Sequence, residues 1–149
     1  MIRMPRGLWI VVADGAKALF VQNVSATVDP ALRVMRVDEI ENPATTEQGT
    51  DQPGRRAGTA ARSSIEPTDW HQMAEGNFAS GVASLLNKWA RAGGIDDLVI
   101  VAPPQSLGDL RSALDPAVRN VLRAELGKDL TNHPMPKIAD LVMAELAKL

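Results

Sequence analysis

Three guanidinium groups, Arg55, Arg56 and Arg62, fall in the stretch TDQPGRRAGTAARSS together with Gly54 and Gly58. Arginine presents a planar fork of N–H donors that matches phosphate oxygens, and glycine lets the backbone approach an anion closely. The chemistry on offer is binding of an anion, RNA included. Glu47, Asp51, Glu66 and Asp69 flank the stretch and offset its charge. A solvated loop with incidental arginines is therefore the competing reading.

Carboxylates give a second possibility. Asp14, Glu39 or Glu41, and Asp96 or Asp97 lie near the ends of predicted strands, where a sheet could gather them into a two-metal cluster of nuclease type. Each has a plainer explanation. Asp14 belongs to a turn with Gly15, and Asp96-Asp97 are solvated residues leading into a strand. His71 and His133 have no ligand-spaced partner, and Ser63 and Ser64 lack a nucleophile-elbow context. Neither a Walker-type nor a dinucleotide-type glycine motif occurs. No catalytic residue and no metal ligand is assigned, and no cofactor is expected.

Composition narrows the classes further. A chain of 149 residues with 45% hydrophobic content is the length of one domain with one real core. The expected organisation is a single domain over 1–149 with a long flexible loop at about 42–69. A net charge of −2 gives little long-range attraction to nucleic acid or anionic membrane, so any anion site must be local. Aromatics at 3% argue against a base-stacking surface. Cysteine is absent, which excludes disulfides and thiolate chemistry. The apolar run Leu8–Ala13, stopped by Asp14, is too short for a signal core or a membrane span, and a cytoplasmic protein is expected.

The elements that would position these residues follow from periodicity. GLWIVVADGAKALFVQNV reads as two strands, the first a continuous apolar run buried on both faces. Asp14-Gly15 is expected at the positive-φ positions of a two-residue hairpin turn. LRVMRVDEI reads as a third strand, with Leu32, Val34, Arg36 and Asp38 on one side and Arg33, Met35, Val37 and Glu39 on the other. From Asn42 to about Asp69 no period survives, a span several times the usual ~4–6 residues of a connection.

A long helix is expected over about Asp69–Ala92, capped by Asp69 with Gln72. Phe78, Val82, Leu85, Leu86 and Trp89 form its apolar face, and Gly93-Gly94 ends it. Gly76 and Gly81 suggest close packing on the sheet or a frayed first turn. DLVIVAPP is a buried strand stopped by two prolines. Ser106 with Asp109 predicts the cap of a following helix, and Asp115-Pro116 opens a second, short one. VLRAEL reads as a fifth strand, and Ile138, Leu141, Val142, Leu146 and Leu149 set the face of a C-terminal helix. The fold class is α/β (α+β): a mixed sheet of about five strands in the order βββ-α-β-α-β-α, ribonuclease-H-like.

The phrases WIVVADGAKALF, LVIVAPPQSLGDLR and ELGKDLT, in that order, resemble the bacterial host attachment protein family, the proteins required for attachment to host cells. That family is counted among the bacterial relatives of archaeal and eukaryotic class-1 release factors, and the resemblance runs from about Leu8 to Leu146. It implies the fold of the middle domain of those factors and of Pelota. There the loop before the long helix carries a Gly-Gly-Gln tip whose glutamine promotes hydrolysis of peptidyl-tRNA on the ribosome. Here Gln52 is followed by Pro53 and no Gly-Gly-Gln occurs, so the catalytic glutamine is not carried over.

The resemblance implies a non-catalytic binding module that docks on the ribosome or tRNA through Arg55, Arg56 and Arg62. The family name implies a part in attachment to host cells. Two alternatives stay open: a metal-dependent nuclease built around Asp14, and an adaptor that binds a protein partner in host colonisation.

Overall fold

A computed structural model describes residues 4–40 and 67–148. Three antiparallel strands come first: β1 (Trp9–Ala13), β2 (Lys17–Asn23) and β3 (Leu32–Glu39). Helix α1 (Pro67–Arg91) leads to β4 (Leu98–Val101), two helices α2 (Pro104–Ala113) and α3 (Pro116–Val121), strand β5 (Leu122–Leu126) and helix α4 (Met135–Leu146). The strands form one sheet in the order β3-β2-β1-β4-β5, with β4 and β5 parallel to β1. This is the expected mixed five-stranded, ribonuclease-H-like arrangement. Two helices join β4 to β5, the second of them the short one expected at Asp115-Pro116. None of the described helices is long and apolar enough to cross a membrane.

The central strands are apolar on both faces because both faces are covered. On one, Val11, Phe20, Leu98 and Ile100 pack against Val82 and Leu86 of α1, Leu110 of α2 and Val118 of α3. On the other, Ile10, Val12, Val21 and Val99 meet Ile138, Val142 and Leu146 of α4, with Met4 and Leu8 closing the layer. Trp89 sits at the end of the first layer, 5.6 Å from the Trp9 ring and edge-on to Phe20 at 5.3 Å. The predicted face of α1 is therefore the one that is buried. Gly93, at φ +79°, ends it, and the Gly94 N–H bonds back to the Trp89 carbonyl.

Several local expectations give way. Helix α1 opens at Pro67, two residues before Asp69. Helix α2 opens at Pro104 without a side-chain cap, and Ser106 is buried inside it. Proline at a first helical position lacks an N–H that has no partner there anyway, so the two prolines both stop β4 and start α2. Asp115 does cap α3, accepting from the N–H of Ala117 and Val118. Arg91 pairs with the same carboxylate. Asn87 bridges from α1: its Nδ2 donates to Ala113 O, and its Oδ1 accepts from the Asp115 N–H.

Gly76 and Gly81 are not contact glycines, since nothing lies within 4 Å of a Cβ built on either. Gly81→Ala removes backbone freedom at no steric cost, so it should stabilise by about 0.5–1 kcal/mol and raise Tm by roughly 1–4 °C. A thermal melt checks this.

Strand β3 departs most from its expected pattern. Val21 faces Val34 and Phe20 faces Arg36, so Met35 is an extra residue in a bulge. Beyond it the phase inverts: Leu32, Val34, Val37 and Glu39 share one face, and Arg33, Arg36 and Asp38 the other. Simple alternation fails because a bulge shifts every later side chain to the opposite face.

Candidate functional site

The carboxyl ends of β1, β3, β4 and β5 all lie at one end of the sheet. Open α/β sheets bind ligands outside such ends, where loops from several strands converge. Asp14-Gly15-Ala16 follows β1, Ile40 follows β3, Ala102-Pro103 follows β4, and Gly127–Thr131 follows β5. Glu75 reaches this end from α1, passing directly over Gly15.

Asp14 organises the site. Its backbone N–H bonds to Lys17 O at 2.9 Å, which makes Gly15 and Ala16 the two central residues of the turn. Its Oδ1 accepts from the N–H of Ala16 and of Lys17, each at 2.8 Å. Its Oδ2 accepts from the hydroxyl of Thr131 at 3.1 Å, fastening the hairpin to the segment after β5. Thr131 is buried, and Asp129 Oδ1 lies 2.8 Å from the same hydroxyl. One hydroxyl proton is thus shared between two carboxylates.

Gly15 does not supply the expected positive φ. Positive φ occurs among the described glycines only at Gly7 and Gly93. A Cβ at Gly15 would instead lie 2.6 Å from Glu75 Cγ and Cδ. That neighbour is the far end of a flexible side chain, so a Cβ at Gly15 would make Glu75 swing aside rather than open the turn.

Asp14, Glu39, Glu75 and Asp129 outnumber Lys17 and Lys128 at this end. The rim formed by the described residues is acidic. It offers no anion cradle of its own, and both Asp14 oxygens are engaged in holding the turn.

The described carboxylates among those considered for a metal cluster are not gathered. Trp9 is level with Leu98 in the parallel β1–β4 pair, so Asp97 sits beside Leu8, six residues back from Asp14. That separates them by about 20 Å along the strands. Asp97 is taken up by Arg123 at 2.5 Å. Glu39, opposite Lys17 on β3, shares the Asp14 end but lies two strands away, about 10 Å. No group of three or more potential ligands forms among the described residues. His133 is exposed in a turn, its N–H on Leu130 O.

Arg55, Arg56, Arg62, Gly54 and Gly58 lie outside the described residues, as do Glu41, Ser63 and Ser64. The points of attachment of their segment are defined. It leaves at Ile40, whose N–H is bonded to Ala16 O at 2.7 Å, against the Asp14 turn. It returns at Pro67, eight residues before Glu75 on α1, which carries the helix about 12 Å beyond Gly15. Both attachments are at the acidic end. The sequence reading does not single out Thr131, Asp129 or Glu75; the phrase ELGKDLT contains the first two, whose side chains form the fastening, and nothing marks Glu75.

The class defined by this sheet order is a ribonuclease-H-like domain with a long insertion point at its carboxyl end. The profile of bacterial archaeo-eukaryotic release factor family 12 matches residues 7–142. The chain belongs to that family. Among solved structures it is similar to one described as an archaeal protein, at 13% identity and a TM-score of 0.46, over 92% of this chain and 38% of that one. It is also similar to the archaeal translation termination factor aRF1, at 12% identity and a TM-score of 0.46, over 95% of this chain and 41% of that one. The chain thus spans about two fifths of the length of these structures. No curated protein sequence matches it.

Proposed function

We propose that this chain is a single cytoplasmic domain acting as a non-catalytic, release-factor-like binding module. It docks on the ribosome or on tRNA through Arg55, Arg56 and Arg62, with Gly54 and Gly58 allowing close approach to phosphate. Family membership supports the link to translation. The observation that carries the reading is where the arginine-bearing segment is anchored: from Ile40 at the Asp14 turn to Pro67 on an end of α1 that projects past the sheet. Both attachments lie at the carboxyl end of the sheet, the end at which open α/β sheets bind ligands. In this reading, a part in attachment to host cells is an indirect consequence of the intracellular role.

The acidic rim at the same end favours a second reading, in which the segment recognises a protein rather than RNA. Salt dependence separates the two. If three arginines contact phosphates, log K should fall with log salt, and replacing all three by alanine should reduce the slope by about 2–3. Titration of labelled protein against ribosomes and against tRNA at several salt concentrations measures it. A slope unchanged by the triple substitution contradicts the phosphate contacts. Recovery of one stoichiometric protein without RNA supports the second reading.

A further inference from the structure

Among the described residues, five of the six large apolar side chains that remain exposed are Val24, Val28, Val34, Met35 and Val37. All lie on β3 or the hairpin end leading into it. β3 is also an edge of the sheet, paired with β2 alone among the described strands. Unpaired edges offer a row of N–H and C=O groups to another strand.

The backbone phase of that edge is fixed at both ends. Val24 N–H bonds Ala31 O at 2.9 Å, and Ile40 N–H bonds Ala16 O at 2.7 Å. Antiparallel alternation between those bonds, with Met35 as the bulge, turns the backbone groups of Leu32, Val34, Val37 and Glu39 away from β2. Their side chains share the α4 face of the sheet, while Arg33, Arg36 and Asp38 share the α1 face.

We propose that this edge binds a second copy of itself. Two β3 strands pair antiparallel about a two-fold axis and join the two sheets into one. Outward groups must meet outward groups. In the fully overlapped register Leu32 meets Glu39 and Val34 meets Val37, each pair occurring twice. The intervening positions then place Arg33 of each copy opposite Asp38 of the partner subunit, again twice. The four valines form one apolar block on the α4 face. Arg36 meets its own copy on the axis, each guanidinium already held by Asp38 of its own chain at 2.8 Å. The bulge is what makes this possible. Without it, Val34 and Val37 would fall on opposite faces, and so would Arg33 and Asp38. The self-complementary charge and backbone pattern selects a second copy as the occupant.

Sedimentation equilibrium of the full chain from about 1 to 200 µM tests the pairing, a range suited to an interface below standard size. The wild type should approach twice 16.0 kDa. R33D and D38R each place like charges opposite one another at two positions and should weaken the dimer at least about tenfold. The double variant R33D/D38R should restore it. Val37→Pro removes an outward N–H while sparing the β2 ladder, and should leave a folded monomer by circular dichroism. If that variant fails to fold, the charge exchange decides alone. A wild type that stays monomeric throughout overturns the proposal. So does a dimer indifferent to R33D and D38R, or a double variant that fails to recover.

Discussion

Phe20→Ala should lower the unfolding free energy by about 3–5 kcal/mol, the range for emptying a phenylalanine site in a close-packed core. Phe20 is fully buried in the layer between the sheet and α1. It also stands edge-on to Trp89 at 5.3 Å. Truncation removes the transferred apolar area, the aromatic contact and the packing of the last turns of α1 together. The surroundings have little freedom to collapse into the space, because Val11, Ala18 and Ile100 are strand residues fixed by the ladder. Against a typical total of about 5–15 kcal/mol for a domain, this is a severe loss. Urea unfolding followed by tryptophan emission measures it, with Trp89 reporting directly. A loss below about 1 kcal/mol would mean that α1 does not depend on this contact for its seat on the sheet.

Asn23→Ala should cost about 2–4 kcal/mol through a different mechanism. Asn23 is a polar residue with 1% of its surface exposed, and its amide ties together three stretches of backbone. Its Nδ2 donates to the carbonyls of Met4 at 3.2 Å and Pro5 at 3.0 Å, and its Oδ1 accepts from the N–H of Ser25 at 3.2 Å and Ala31 at 3.0 Å. One side chain therefore anchors the N-terminal segment and sets the β2–β3 turn. Alanine takes this partner from the Met4 carbonyl and the Ser25 and Ala31 N–H groups, and leaves the Pro5 carbonyl only the Leu8 N–H; that deficit sets the cost. Asn23→Asp should not rescue it, because a carboxylate would replace the donating Nδ2 in front of two carbonyl oxygens. Equal stability of the Asn23→Ala variant and the wild type in urea would show that these backbone groups find other partners.

The strands that were easiest to read from sequence are those covered on both faces. Trp9–Val12 and Leu98–Val101 are unbroken apolar runs because α1 lies on one side and α4 on the other. The face of α1 was legible for the same reason, since its 3.6-residue period reflects a single buried stripe. Features set by one local residue against a distant one were not legible. The bulge at Met35 inverts the phase of β3, and nothing in LRVMRVDEI marks which residue is extra. Gly15 reads as a positive-φ turn glycine; it does sit in the turn, but positive φ among the described glycines occurs only at Gly7 and Gly93, and its near neighbour is Glu75, two turns inside α1. Ser106 and Asp109 had the spacing of a cap, yet the adjacent proline starts the helix earlier.

The candidate site divides along the same line. Asp14 was recognised as a turn residue. Its fastening to Thr131 spans 117 residues and follows only once β5 is placed beside β4. The carboxylate cluster failed because strand ends that look equivalent in a linear sequence lie at opposite ends of the sheet. Asp14 follows β1, Asp97 precedes the parallel β4, and the sheet itself keeps them apart.

In the proposed function, Arg55, Arg56 and Arg62 dock this domain on the translation machinery. Co-sedimentation with ribosomes at low and at moderate salt, comparing the wild type with the Arg55/Arg56/Arg62→Ala triple variant, tests it most directly. The wild type should travel with the particles at low salt and be partly released at moderate salt, and the triple variant should be lost from them. A wild type that stays in the supernatant at both salt concentrations, or a triple variant that pellets equally well, would contradict it.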